Sequence, residues 1–165
     1  PSLSNIRTYT QQFFSVWPCL WQLKVAKTIL KGDKDIICIT GTGMGKTLTF
    51  WMPLLFRENG MQIVVTPLNL LGKQNVAYLM KAGIRAISIS RETAMPANFQ
   101  QVMKPNCGFK KLLKNSLFVT WIISIIIDEA HCLTDWGEFW PEYKELGWLR
   151  YVLPHSVPVT PQTLN

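Results

Sequence analysis

Apolar positions along the chain alternate between helical and strand-like spacing. Leu23, Ala26 and Leu30, with the Lys27 stem between them, recur at helical intervals and predict a helix over 21–31 that Gly32 stops. Asp33-Lys34-Asp35 then forms a polar turn, and Ile36-Ile37-Cys38-Ile39 reads as a short buried strand. A glycine-rich stretch, Gly41 to Gly45, leads into a helix over 46–56 that Pro53 should kink or end early. Further on, the pattern predicts a strand at 62–66, a helix at 69–81 closed by Gly83, and a strand at 85–90. A short basic helix at 110–115 and a strongly β-branched strand at 122–127 follow. Continuous apolar strands set between helices predict an α/β fold with a parallel sheet covered by helices on both faces. Residues 93–109 show no period and read as loop. Three prolines between Pro154 and Pro161 should limit any central strand there to 157–160. No internal repeat or low-complexity tract interrupts this order.

At 165 residues the chain is long enough for one domain with a substantial core, and 48% apolar against 16% charged residues excludes a disordered tail. The longest mainly apolar run, 118–127, is half the roughly 20 residues of a membrane-spanning helix, so no membrane partner is expected. The polar N-terminus carries no leader pattern. Cys19, Cys38, Cys107 and Cys132 form no CxxC pair, which argues against a disulfide framework or a zinc site and for a reducing, intracellular setting.

Charge adds a partner class. Residues 1–127 hold 15 Lys/Arg against 4 Asp/Glu, whereas residues 128–165 hold 2 against 6. The basic part suits nucleotide phosphates or a nucleic-acid backbone, and equally an ordinary solvated basic surface.

Thr40-Gly41-Thr42-Gly43-Met44-Gly45-Lys46-Thr47 carries the sharpest chemistry. Glycines let the backbone curl so that successive N–H groups face phosphate oxygens, and the following helix adds the positive end of its dipole. Lys46 would reach the β/γ phosphates and Thr47 would give its hydroxyl to magnesium. Thr40 stands where the usual pattern starts with Gly or Ala. The matching acids follow an apolar strand in Ile125-Ile126-Ile127-Asp128-Glu129: Asp128 to hold magnesium through water, Glu129 to polarise the attacking water.

Asp128-Glu129-Ala130-His131 resembles the DEAH box of superfamily 2 helicases, and the aromatic-rich residues 132–143 resemble the loop that follows it in RecQ DNA helicases. Residues 42–48 with Pro53 resemble the first RecQ motif, and residues 65–71 with Gln74 the next. Phe13 and Gln22 stand nine apart, as do the family's aromatic and adenine-reading glutamine. The resemblance implies a P-loop NTPase, RecA-like parallel sheet, with ATP and Mg2+ as cofactors and single-stranded or forked DNA as partner. It implies that Gln22 reads adenine and that Thr42, Gly43, Met44, Gly45, Lys46 and Thr47 cradle the nucleotide. Thr47 and Asp128 would bind the metal, with Glu129, Lys46 and Asp128 catalytic. His131 would couple the ATP site to DNA, Thr66 and Pro67 would touch the DNA backbone, and Trp136, Phe139 and Trp140 would stack on bases. Ordinary core packing is the other reading of those aromatics. A nuclear location is implied as well.

Departures accompany the match. Glu138-Phe139-Trp140 lacks the His and Arg of the RecQ loop, and Cys19 replaces an arginine. The family's strand ending near Ser-Pro-Glu is not found, with Val102-Met103-Lys104-Pro105 its nearest trace, so the lobe is expected to miss an element. Pro161-Gln162-Thr163 stands nearest to the family's Ser-Ala-Thr. Residues 1–165 are expected to form a single, truncated ATP-binding lobe, with the second helicase lobe absent or supplied in trans. Unwinding by such a chain would be weak or nil. A non-catalytic nucleic-acid-binding or interaction module is the alternative, and a small nucleotide kinase is disfavoured by the DEAH box.

Overall fold

The computed structural model describes residues 1–41, 43–66, 69–89, 113–131 and 145–163. They fall into two compact units. One comprises Pro1–Val65, Trp121–His131 and the segment from His155; the other holds the segments between.

In the first unit, helix α1 (Leu3–Phe14) is capped by Ser2, whose hydroxyl accepts from Asn5 N at 3.1 Å, and it ends at Ser15 in the left-handed region (φ 55°). This helix is absent from the sequence expectation. Helix α2 (Leu20–Lys31) closes as expected on Gly32, whose φ of 65° suits a residue without Cβ. Strand β1 is Cys38–Ile39, and α3 is Lys46–Leu54. Pro53 ends α3 within one residue, and the chain leaves it by tight turns from Leu55 N to Met52 O and Phe56 N to Pro53 O. Strands β2 (Met61–Val65), β3 (Ile122–Ile127) and β4 (Val159–Thr163) complete a four-stranded, all-parallel sheet of order β1-β4-β3-β2.

The core sits between α1, α2, α3 and this sheet. Ile6, Leu23, Ala26, Leu48 and Met52 form one cluster, and Ile29, Phe50, Ile123 and Ile126 form another. All six residues of β3 are buried, as expected of a strand covered on both faces.

Two strand expectations fail here. Residues 36–39 were expected to be buried throughout, yet only Cys38–Ile39 pair, and Ile37 and Ile39 are 73% and 56% exposed. The second concerns β4, which runs on to Thr163 between two neighbours despite Pro161. Backbone alternation explains both. The carbonyls of Val159 and Thr163 accept from Ile36 N and Thr40 N on the β1 side, while those of Pro158 and Gln162 accept from Ile125 N and Ala130 N on the β3 side. Pro161 shares the parity of Val159 and Thr163, so its missing N–H faces β1. The ladder to β3 is intact, and the ladder to β1 shrinks.

The second unit contains α4 (Asn69–Lys81), with the predicted bounds. It also holds most of α5 (Ser116–Trp121), a 3-10 turn at Glu145–Trp148 and α6 (Leu149–Val152). Asn115 Oδ1 caps α5 by accepting from Leu117 N and Phe118 N at 3.0 and 3.3 Å. Residues 84–89 form no strand, contrary to expectation: Ile87 and Ile89 are exposed and find no ladder partner among the described residues. Of the helix predicted at 110–115, residues 110–112 lie outside the described set and Leu113 is helical; a separate helix follows at Ser116–Trp121. Also outside it are the loop read at 93–109 and the trace of the missing family strand at 102–105. No helix among the described residues is long and apolar enough to cross a membrane.

Candidate nucleotide site

The phosphate loop begins where β1 ends. Thr40 N donates to Thr163 O at 3.2 Å, which fixes the entry of the loop to β4. Gly43 and Gly45 follow with φ of 75° and 74°, left-handed conformations that favour glycine. A Cβ at position 45 would also stand 2.7 Å from Gln22 Nε2, so the end of that side chain would have to shift. Around Gly43 the same construction meets nothing within 4 Å, leaving open space over the loop.

Lys46 opens α3 and is 9% exposed. Its Nζ turns back onto the carbonyls of Thr40 and Gly41 at 3.3 and 3.4 Å, and no carboxylate pairs with it among the described residues. A buried ammonium bonded only to long carbonyl contacts is suited to an incoming anion. Thr47 stands next on α3, partly exposed at the helix start. Thr42 lies outside the described residues, while Met44 is exposed at the tip of the loop.

Gln22 occupies a position that spacing alone could not give. Its Oε1 accepts from Cys19 N at 2.7 Å, and its Nε2 donates to the carbonyls of Met44 and Gly45 at 3.3 and 3.0 Å. The amide is 5% exposed and fully engaged in tying the start of α2 to the loop. Reading an adenine edge would require it to exchange these bonds.

The acidic half hangs from β3. Asp128 N donates to Val65 O at 2.9 Å and Ala130 N to Gln162 O at 2.7 Å, so the turn after β3 is pinned on both flanks. Asp128 is 8% exposed. Burial first, and the neighbouring Glu129 second, push its carboxyl above the usual carboxylate range, against the pull of the Glu129 N–H, Lys46 and His131. Glu129 adopts a left-handed φ of 51°, and its Oε2 lies 3.5 Å from His131 Nδ1. The sequence thus brings Lys46, Asp128, Glu129 and His131 into one unit with Gln22 and the glycine turns. Buried ammonium, helix N-terminus, hydroxyl and carboxylate together fit a phosphate chain carrying a hard divalent cation.

Thr49 goes unnoticed in the sequence, and Gln162 stands out there only as part of Pro161-Gln162-Thr163, with no role of its own. Gln162 is fully buried, with Nε2 donating to Thr49 Oγ1 at 2.9 Å, and Thr49 Oγ1 donates to Lys46 O at 2.6 Å. No periodicity marks such a pair, because its meaning lies in contact across 113 positions.

On the predicted nucleic-acid side, Thr66 carries a buried Oγ1 without a hydrogen-bond partner among the described residues. Pro67, Trp136, Phe139 and Trp140 lie outside the described residues.

Comparison with known proteins places these features in context. Residues 20–163 match the profile of DEAD/DEAH box helicases. The ATP-dependent DNA helicase RecQ of Pasteurella multocida is 35% identical over 148 residues, covering 82% of this chain and 23% of that protein. RecQ of Haemophilus influenzae is 34% identical, covering 82% and 24%, and ATP-dependent DNA helicase Q5 of Rattus norvegicus 28% identical, covering 78% and 15%. The chain spans under a quarter of the length of each of these relatives. Among solved structures, the DUF1998 helicase MrfA bound to DNA and AMPPNP superposes with a TM-score of 0.61 at 19% identity, over 99% of this chain and 26% of that one. This supports a shared fold.

Proposed function

The chain belongs to the DEAD/DEAH box helicase family, and from that premise we propose that it is the ATP-binding lobe of a RecQ-like DNA helicase. The observation that carries the reading is Lys46: a buried ammonium at a helix N-terminus, held among the described residues by the Thr40 and Gly41 carbonyls, beside an open glycine turn.

Bound MgATP supplies the phosphoanhydride bond to be cleaved and the metal charge that offsets the charge developing on it. Lys46 would leave the two carbonyls for the β/γ phosphate oxygens, while N–H groups of the loop and the start of α3 hold the remaining oxygens. The Thr47 hydroxyl and Asp128 would hold magnesium, Asp128 as the carboxylate that a nearby cation favours. Glu129 would accept the proton of the attacking water through its carboxylate, with His131 Nδ1 standing 3.5 Å from its Oε2. Gln22 would turn from the loop carbonyls to the base, so that nucleotide entry loosens the tie between α2 and the loop.

Single-stranded or forked DNA is the proposed partner, supported by the basic excess upstream of Asp128. In the family the arginine fingers come from a second lobe. Turnover by this chain alone should therefore be slow, since such a finger is worth about 10³–10⁵ in rate in P-loop GTPases.

The test is ATP turnover with and without single-stranded DNA, beside Glu129→Gln. Slow turnover lost in that variant, with MgATP binding retained, is the expected result. Salt-sensitive DNA binding indifferent to ATP, with no nucleotide bound, would replace this reading by a non-catalytic nucleic-acid module.

A further inference from the structure

Gln162 is bonded to both halves of the site. Its backbone carbonyl accepts from Ala130 N at 2.7 Å, in the turn that bears Asp128 and Glu129. Its side-chain Nε2 donates to Thr49 Oγ1 at 2.9 Å, and that hydroxyl donates to the carbonyl of Lys46 at 2.6 Å. Three short hydrogen bonds therefore run from the phosphate-loop lysine to the acidic turn through one residue of β4.

Packing alone does not account for a glutamine here. Gln162 is fully buried, yet its Oε1 has no hydrogen-bond partner among the described residues, and Thr160, two residues earlier on the same face, also leaves a buried Oγ1 unpartnered among them. An apolar side chain would fill the space without stranding a polar atom. What glutamine adds is reach: from a strand whose backbone already holds Ala130, its amide extends to the first turn of α3.

We propose that Gln162 is a positioning residue that sets the placement of Lys46 relative to the Asp128–Glu129 turn. Displacement of the first turn of α3 on phosphate binding is transmitted through the Thr49 hydroxyl to β4, and from the Gln162 carbonyl to Ala130. The inference rests on the reading of this site as an MgATP site. It assigns the coupling to two side chains that touch neither phosphate nor metal.

The experiment compares the wild-type chain with Gln162→Met, Thr49→Val, the double variant and Thr49→Ser. A fluorescent ATP analogue with magnesium is titrated well below each variant's Tm, and amide exchange is followed in the empty protein. Each of the first two variants should weaken nucleotide affinity about five- to ten-fold, and the double variant no more than the weaker single one, because both break the same link. Thr49→Ser, which keeps the hydroxyl, should recover affinity to within about two-fold. In the empty protein, Thr49→Val should speed exchange at Ala130, although it alters only α3. A lower Tm with unchanged affinity, or additive effects in the double variant, would show packing alone and overturn the proposal. If the wild-type chain binds no nucleotide, the ATP reading fails on its own, and exchange then decides the coupling: unchanged protection at Ala130 in Thr49→Val overturns it.

Discussion

β3 carries Asp128 from six residues that are all buried and that pair with β2 on one side and β4 on the other, whereas β1 carries the glycine loop from two residues that, among the described residues, pair with β4 alone. The acidic turn is therefore clamped by Val65 and Gln162, while the loop is attached through Thr40 to Thr163 and steadied from above by Gln22. The lesson is a division of labour. The half proposed to bind metal is built into the strand paired on both sides, and the half proposed to bind phosphate rests on contacts that a ligand can replace. Low local stability is where ligand-responsive segments belong.

The largest effect is expected on the replaceable side. Lys46→Ala removes the buried ammonium and should reduce MgATP affinity by more than about 100-fold with little change in far-UV circular dichroism; wild-type affinity by calorimetry would remove the loop from the site. Next comes a contrast in stability. Ile126→Ala should cost about 2–5 kcal/mol in urea unfolding, because its side chain is fully buried. Ile39→Ala, at a half-exposed position, should stay within about 1 kcal/mol. Equal costs would erase the difference between the two strands.

The smallest effect concerns Asp128 in the empty protein. Its folded-state carboxyl holds its proton to higher pH than the unfolded one, so stability falls as pH rises from the unfolded value through the folded one. Above the folded value that loss is complete. Asp128→Asn should accordingly raise Tm at pH 7, and the gain should shrink on acidification into the carboxylate range. A gain independent of pH would mean that burial of the charge is not its cause.

Local patterns displayed the chemistry better than the topology. The loop at 40–47, the acids after β3 and the bounds of α4 stood out because each is a contiguous signal: glycine spacing, an apolar run, a period closed by glycine. Helix α1 stayed hidden because one of its two fully buried positions is Thr10, whose hydroxyl is satisfied by Ile6 O at 2.6 Å. Residues 85–90 showed the alternation of a strand, but alternation does not supply a partner. Pro161 misled in the opposite direction, since which neighbour loses the N–H depends on strand parity, known only once the sheet is assembled. Gln22 and Gln162 make the same point: both choose partners more than twenty positions away.

The outer side of β1 has a consequence for handling the protein. By alternation, Ile37 and Ile39 direct their N–H and C=O groups away from β4, and their side chains are among the more exposed large apolar ones. Among the described residues nothing pairs with this side, and Lys34 and Asp35 guard one end. An edge left open in this way recruits extended polypeptide, so concentrated solutions of this chain should lose material to strand-on-strand association sooner than its net charge of +7 would suggest.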